Sequence, residues 1–158
     1  MKKITPFLWF DTQAEEAAKF YASVFPNSKI LKTARYGEAG PGPKGSVMTV
    51  EFELAGQRMI ALNGGPHFKF TEAISLSVDC KDQKEVDHYW TKMSQGGQES
   101  MCGWLKDRYG LSWQVNPAIL GELLSGPDVK KAKRVMEAML KMKKIDIAAL
   151  KAAAEAAP

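Results

Sequence analysis

The sequence predicts an α+β fold made of two βαβββ modules in tandem, followed by a helical tail. Two stretches match each other without a gap, so that Ile4 falls on Ala73 and the pair Phe20-Tyr21 falls on Tyr89-Trp90, a constant offset of 69 residues. Each stretch has the pattern of a strand followed by an amphipathic helix, which indicates one supersecondary unit used twice. Antiparallel runs follow both helices, and this order favours an α+β class over a doubly wound parallel sheet.

In the first module, the spacing of apolar residues and the position of turn-forming residues define the elements. Apolar residues recur every three or four positions from Ala17 to Val24, which predicts a helix that Asp11 or Thr12 can cap. Strict alternation from Val47 to Leu54 predicts a strand with one apolar face. The predicted elements are a strand over 4–11, a helix over 14–25, a glycine-rich loop over 37–45, and strands over 29–36, 47–54 and 57–62.

The second module and the tail follow the same signals. Asp82 and Asp146 are each placed to cap a helix, and the Pro127-Asp128 pair is typical of a helix start. The predicted elements are strands over 73–80, 98–101, 103–106 and 112–116, a helix ending at 94, and tail helices over 119–124 and 129–142 and after 146. We therefore expect a domain over 1–117, with modules at about 4–64 and 73–117, and a helical extension over 118–158.

Composition indicates a cytoplasmic globular protein. The 158 residues are 45% hydrophobic and 25% charged, which is average for one soluble domain. No apolar run reaches the roughly 18 to 20 residues that a membrane span needs, and the start does not resemble a signal peptide. Without an export signal, Cys80 and Cys102 are expected to be free thiols in a reducing cytoplasm. They are too few and too far apart for a zinc motif.

A net charge of +4 is concentrated in the tail, where lysines cluster between Lys130 and Lys144. A cluster of this kind can bind nucleic acid, or it can be a solvated helix face. No aromatic residue is interleaved with the lysines to stack on bases, so we predict the solvated face. Interaction with nucleic acid or protein through this tail stays an alternative.

Several runs resemble a known family: Ala14-Glu-Glu-Ala17, residues 61–66, and above all the stretch from Cys102 to Gln114. Together they cover roughly residues 4–117. They resemble the vicinal oxygen chelate superfamily, which includes glyoxalase I and the bleomycin- and fosfomycin-resistance proteins. The match is closer to its PhnB-like branch, historically labelled as a 3-demethylubiquinone-9 3-methyltransferase domain.

The resemblance implies a cup-shaped sheet whose metal-dependent members place His and Glu ligands on the first and last strands of each module. In this chain those positions fall near Ile4, near 61–63, on Ala73 and on Gln114. None of them supplies an imidazole or a carboxylate, and a neutral amide is a poor ligand for zinc or nickel. We therefore expect no catalytic metal and no cofactor.

The leading interpretation is that the cup binds a small organic molecule, as bleomycin-resistance proteins sequester theirs. The predicted ligand-binding residues are two amide anchors and three apolar wall residues: Trp9, Asn63, Trp104, Trp113 and Gln114.

The alternative is an enzyme, a lyase, isomerase or transferase, that uses Cys102, His67 or an unrecognised metal. The turn after the first strand, residues 11–14, has no glycine. The glycine-rich loop that cradles a methyl donor in class I methyltransferases is therefore missing there. A homodimer is expected because each module leaves a sheet edge exposed.

Overall fold

A computed structural model describes residues 3–156, which form two compact units, the first ending at Phe70 and the second starting at Thr71. The first unit contains β1 (Phe7–Phe10), α1 (Ala14–Val24), β2 (Lys29–Arg35), β3 (Val47–Leu54) and β4 (Gln57–Asn63). Its sheet has the order β1-β4-β3-β2, with β1 parallel to β4 and the other pairs antiparallel. Pro6 accepts a bond from Ile60 but has no N–H to donate, so β1 starts later than predicted.

The second unit repeats this arrangement. It contains β5 (Ser75–Cys80), α2 (Gln83–Ser94), β6 (Gln98–Glu99), β7 (Trp104–Lys106), β8 (Ser112–Pro117), α3 (Ile119–Ser125), α4 (Val129–Met139) and α5 (Ile147–Glu155). Its sheet has the order β5-β8-β7-β6, again with the first strand parallel to the last. The predicted α+β class and tandem βαβββ order are confirmed. None of the helices in the described chain is long and apolar enough to cross a membrane.

Helices α1 and α2 each cover one face of their own sheet. In the first unit Tyr21 of α1 stacks on Phe52 of β3, with ring centroids 6.3 Å apart, and both side chains are fully buried. In the second unit Trp113 and Val115 of β8 are buried on the face that packs against α2. Burial of each large apolar side chain stabilises the fold by about 1.5–3 kcal/mol.

The internal repeat needs a one-residue gap, contrary to the ungapped match predicted from the sequence. The helices superpose at an offset of 69, since α1 begins at 14 and α2 at 83. The first strands, β1 and β5, correspond at an offset of 70, because Phe10 O accepts from Gly64 N just as Cys80 O accepts from Ala118 N. The turn between β1 and α1 is one residue longer than its counterpart, so aligning Trp9 with Val78 pairs residues on opposite faces.

The two modules cap their helices differently. Asp82 caps α2 with its own carboxylate, which accepts from Glu85 N at 2.9 Å, as predicted. The predicted cap of α1 by Asp11 or Thr12 is wrong. The N-cap residue Gln13 makes no side-chain cap, and Asn63 Oδ1 accepts from Ala14 N at 2.8 Å instead.

The helical extension packs within the second unit. Its core is formed by residues from all three tail helices and from the link between them: Leu123, Val135, Ile145, Leu150 and Ala154. The Gln83 amide ties α2 to the tail, donating to Ile145 O at 3.1 Å and accepting from Ile147 N at 2.9 Å. Asp128 and Asp146 cap α4 and α5 as predicted.

Candidate functional site

The second sheet has a polar face on the side opposite α2, which we call the outer face. Side chains alternate along a strand, and the register aligns Trp104, Gln114 and Ser77 across β7, β8 and β5. The outer face is therefore made of residues of the same parity on three strands: Ser75, Ser77, Asp79, Trp104, Lys106, Ser112, Gln114 and Asn116. It presents hydroxyls, amides, the Asp79 carboxylate and the Lys106 ammonium around one indole ring.

A side-chain network connects β8 to β5 on this face. Gln114 Nε2 donates to Ser75 Oγ at 2.9 Å. Asn116 Nδ2 donates to Ser77 Oγ at 3.3 Å and to Gln114 Oε1 at 3.4 Å. These hydrogen bonds fix the orientation of both amides. Both side chains are half-buried, so part of each stays accessible.

The donor chemistry of this face does not resemble a transition-metal site. In the described part of the chain, no three His, Cys, Asp or Glu side chains come together in a group that could hold a metal ion. Gln114, where the resemblance implies a last-strand ligand, offers a neutral amide oxygen that already accepts from Asn116. Zinc and nickel prefer imidazole, thiolate or carboxylate ligands.

A hollow of about 150 Å³ opens beside Trp104, lined also by Lys106 and Ser112. The Ser112 side chain is 1% exposed, and no described residue hydrogen-bonds to its Oγ. The Lys106 ammonium forms an ion pair with Glu72, and this hydrogen bond lowers the pKa of the Glu72 carboxyl. The hollow therefore combines a buried hydroxyl, a cation and an aromatic wall.

Trp113 does not lie on this face, which corrects the expectation that it lines the site. It follows Ser112 and precedes Gln114 on one strand, so its side chain points to the α2 side, where it is 2% exposed. Its indole N–H donates to Asp107 Oδ2 at 2.9 Å. Trp113 is a core residue.

Asn63 and Trp9 are held by bonds within the first unit. The Asn63 amide is used at both ends, since Oδ1 accepts from Ala14 N and Nδ2 donates to Val47 O at 3.1 Å. Trp9 lies on the face of the first sheet opposite α1, where its indole N–H donates to Gly65 O at 2.9 Å. These bonds give both residues a structural role.

A cavity of about 510 Å³ lies where β1 and β4 end, against the loop 37–46. Asn63 and the exposed His67 both line it, together with the Glu15 carboxylate. A 2.9 Å ion pair with Lys19 lowers the pKa of Glu15. The structure thus brings Asn63 and His67 to one cavity, although the Asn63 amide makes its bonds to the backbone.

The two cysteines differ in setting. Cys80 is fully buried, and burial raises the pKa of its thiol to about 12, so it stays protonated at neutral pH. Cys102 adopts a left-handed backbone conformation (φ 59°), and its N–H donates to Met142 O at 2.8 Å. This turn joins β7 to the tail, which gives Cys102 a structural role.

Residues 2–116 match the family described as 3-demethylubiquinone-9 3-methyltransferase. The chain belongs to this family. The predicted PhnB-like branch is confirmed. No functionally curated protein shows a significant match to the chain.

Solved structures support this assignment. A Bacillus cereus structure described as a 3-demethylubiquinone-9 3-methyltransferase, PhnB protein, is 40% identical and has a TM-score of 0.68, with 74% of this chain and 100% of that chain covered. A Pseudomonas aeruginosa protein is 20% identical (TM-score 0.62; coverage 74% and 98%). The fosfomycin resistance protein FosX of Listeria monocytogenes is 15% identical (TM-score 0.57; coverage 79% and 98%). The last two likenesses show the fold alone.

Sequence reasoning missed the residues that form the hollow. Ser112 and Lys106 were not singled out, because a serine and a lysine on short strands carry no motif. The signal was available in the alternation from Ser112 to Asn116, which places Ser112 on the same face as Gln114. The ion pair with Glu72 depends on the folded chain.

Proposed function

We propose that this family member binds a small organic molecule on the outer face of the second sheet without a catalytic metal. The observation that carries the proposal is that Trp104 and Gln114, both half-buried, are direct register partners on that face. An apolar wall with a few placed polar groups is the usual composition of a small-molecule site. Trp104 supplies the wall and Gln114 the polar anchor.

Binding without chemistry fits the neutral groups that surround Gln114 on this face. The amides and hydroxyls of Gln114, Asn116 and Ser75 are neutral and do not act as general acids or bases near pH 7. They can hydrogen-bond a ligand while holding one another in place. This role corresponds to sequestration or transport of the ligand.

The family description names a methyltransferase, and S-adenosylmethionine would then have to be held by this chain. Glycine-rich donor sites offer free backbone N–H groups where a strand turns into a helix. Here a backbone N–H in the first turn of α1 donates to the Asn63 side chain, and one in the first turn of α2 donates to the Asp82 side chain. The residues present do not fit a donor site of that type, so we derive no methyl-transfer step.

The proposal is tested by screening a fragment library against the ¹⁵N-labelled full chain by NMR. We expect saturable shifts centred on Trp104 and Gln114. The variant Gln114→Ala should weaken binding of the hits, because the ligand loses a polar anchor. Gln57→Ala, a half-buried amide on β4 of the first unit, is the matched control and should leave binding unchanged. Hits that map only to the first unit would contradict the proposal.

A further inference from the structure

The Ser112 hydroxyl is a buried group of the outer face that lacks a hydrogen-bond partner among the described residues. It is 1% exposed and lines the hollow beside Trp104. Buried polar atoms are nearly always hydrogen-bonded, and leaving one without a partner is costly. A ligand atom in the hollow would supply the missing partner.

The cation in the hollow is Lys106, the register partner of Ser112 on β7. Its side chain is 35% exposed, and its ammonium contacts the Glu72 carboxylate, which is itself 63% exposed. Solvent-exposed ion pairs contribute only about 0–1 kcal/mol, so another carboxylate can replace Glu72 at little cost. Glu72 therefore marks the kind of group that Lys106 binds.

The size of the hollow limits the rest of the ligand. A cavity of about 150 Å³ holds a benzene-sized body. Trp104 forms one wall, and an indole face favours a planar ring or a compact apolar group.

We infer that the hollow binds a small organic carboxylate. One carboxylate oxygen would accept from Ser112 Oγ and from Lys106 Nζ, the apolar body would lie against Trp104, and Glu72 would compete for Lys106. This inference rests on the proposed function, because it names the ligand class for the same outer face. It predicts that the hollow prefers an anionic ligand with a benzene-sized body to a neutral ligand of the same size.

The probe is benzoate, which combines a benzene-sized body with one carboxylate, and the control ligand is neutral benzamide. Both are titrated into the ¹⁵N-labelled full chain, with ionic strength held constant by sodium chloride. We expect saturable shifts at Trp104, Lys106 and Ser112 for benzoate, and binding at least about tenfold weaker for benzamide, because a hydrogen-bonded charge is lost.

Three variants assign the contacts. Ser112→Ala and Lys106→Gln should each weaken benzoate binding about tenfold, since each removes a donor to a charged oxygen. Glu72→Gln should tighten binding severalfold, because the competing carboxylate is gone. Lys81→Gln, which breaks the exposed Lys81–Glu85 pair elsewhere in the second unit, is the matched control and should have no effect. The amide spectrum of each variant verifies that it is folded.

Each outcome decides the inference. Selective benzoate binding that is lost in Ser112→Ala and Lys106→Gln supports it. Equal binding of benzamide, unchanged binding in Lys106→Gln, or no saturable shift with benzoate overturns the carboxylate class. In those cases the proposed function still stands if neutral or cationic fragments shift Trp104 and Gln114, and it fails only if no fragment does.

Discussion

Asn63 at the end of β4 caps helix α1, accepting a 2.8 Å hydrogen bond from the backbone N–H of Ala14, which lies 49 positions earlier in the chain. The same amide donates to Val47 O at 3.1 Å. One side chain thus fixes the helix start to two strands of the first sheet. The corresponding position in the second unit is Pro117, and there the helix is capped locally by Asp82.

We expect Asn63→Ala to lower the free energy of unfolding by about 1–3 kcal/mol, since it removes a cap and leaves Val47 O without its donor. Urea denaturation followed by circular dichroism measures this change. Gln57→Ala on the same strand is the control and should cost less. Equal stability of Asn63→Ala and the wild type would show that the cap contributes nothing.

Asp107 is a buried carboxylate that organises the turn before β8. It is 2% exposed and accepts from Tyr109 N, Leu111 N and Trp113 Nε1 at 2.8–3.1 Å. Asp107→Ala would leave these three donors, two of them buried, without their acceptor and should cost about 3 kcal/mol or more. Trp113→Phe removes only one donor and should cost less. Thermal unfolding of both variants gives the order, and the reverse order would contradict this account.

The loop over Tyr36 depends on Gly40 and Gly42, which both lie against the Tyr36 ring. A Cβ at Gly42 would overlap the buried Tyr36 ring, whereas a Cβ at Gly37 meets nothing within 4 Å. Gly42→Ala should therefore destabilise the protein by about 1–3 kcal/mol through overpacking. Gly37→Ala is the matched control and should be nearly neutral. Similar melting temperatures for the two variants would argue against a tightly packed loop.

Cys80 predicts a pH dependence of stability. Burial raises the pKa of its thiol to about 12 in the folded state, while an unfolded thiol titrates near pH 8.5. Between these two values the unfolded chain loses the proton first, so this group makes the wild type less stable as pH rises. Cys80→Ala lacks this effect, and its stability deficit relative to wild type should shrink between pH 8 and 10. A deficit that stays constant would contradict the raised pKa.

The tandem modules were predictable because their signals are local. Alternation from Val47 to Leu54 and the Asp82 cap need only neighbouring residues. The cap of α1 was not predictable, since Asn63 reaches Ala14 only through the parallel pairing of β1 with β4. The one-residue gap in the repeat could not be seen in the sequence, because the two helices match without a gap at an offset of 69. The extra residue lies in the turn after β1, where neither module has a distinctive pattern.

The candidate site was predicted in part. Trp104 and Gln114 lie together on the outer face, as two residues of one ligand-binding site must. Trp113 was misplaced for a reason that the sequence itself contains, since adjacent residues of a strand cannot share a face with each other. The homodimer stays a prediction.

The claim that this face works without a metal is tested most directly by elemental analysis. Tag-free protein is purified without chelators, then reloaded with zinc, nickel, manganese or magnesium and desalted. We expect no stoichiometric metal before or after reloading, because Gln114 offers a neutral amide, whereas zinc and nickel prefer imidazole, thiolate or carboxylate ligands. One metal ion retained per chain, and released when Gln114 is replaced by alanine, would contradict it.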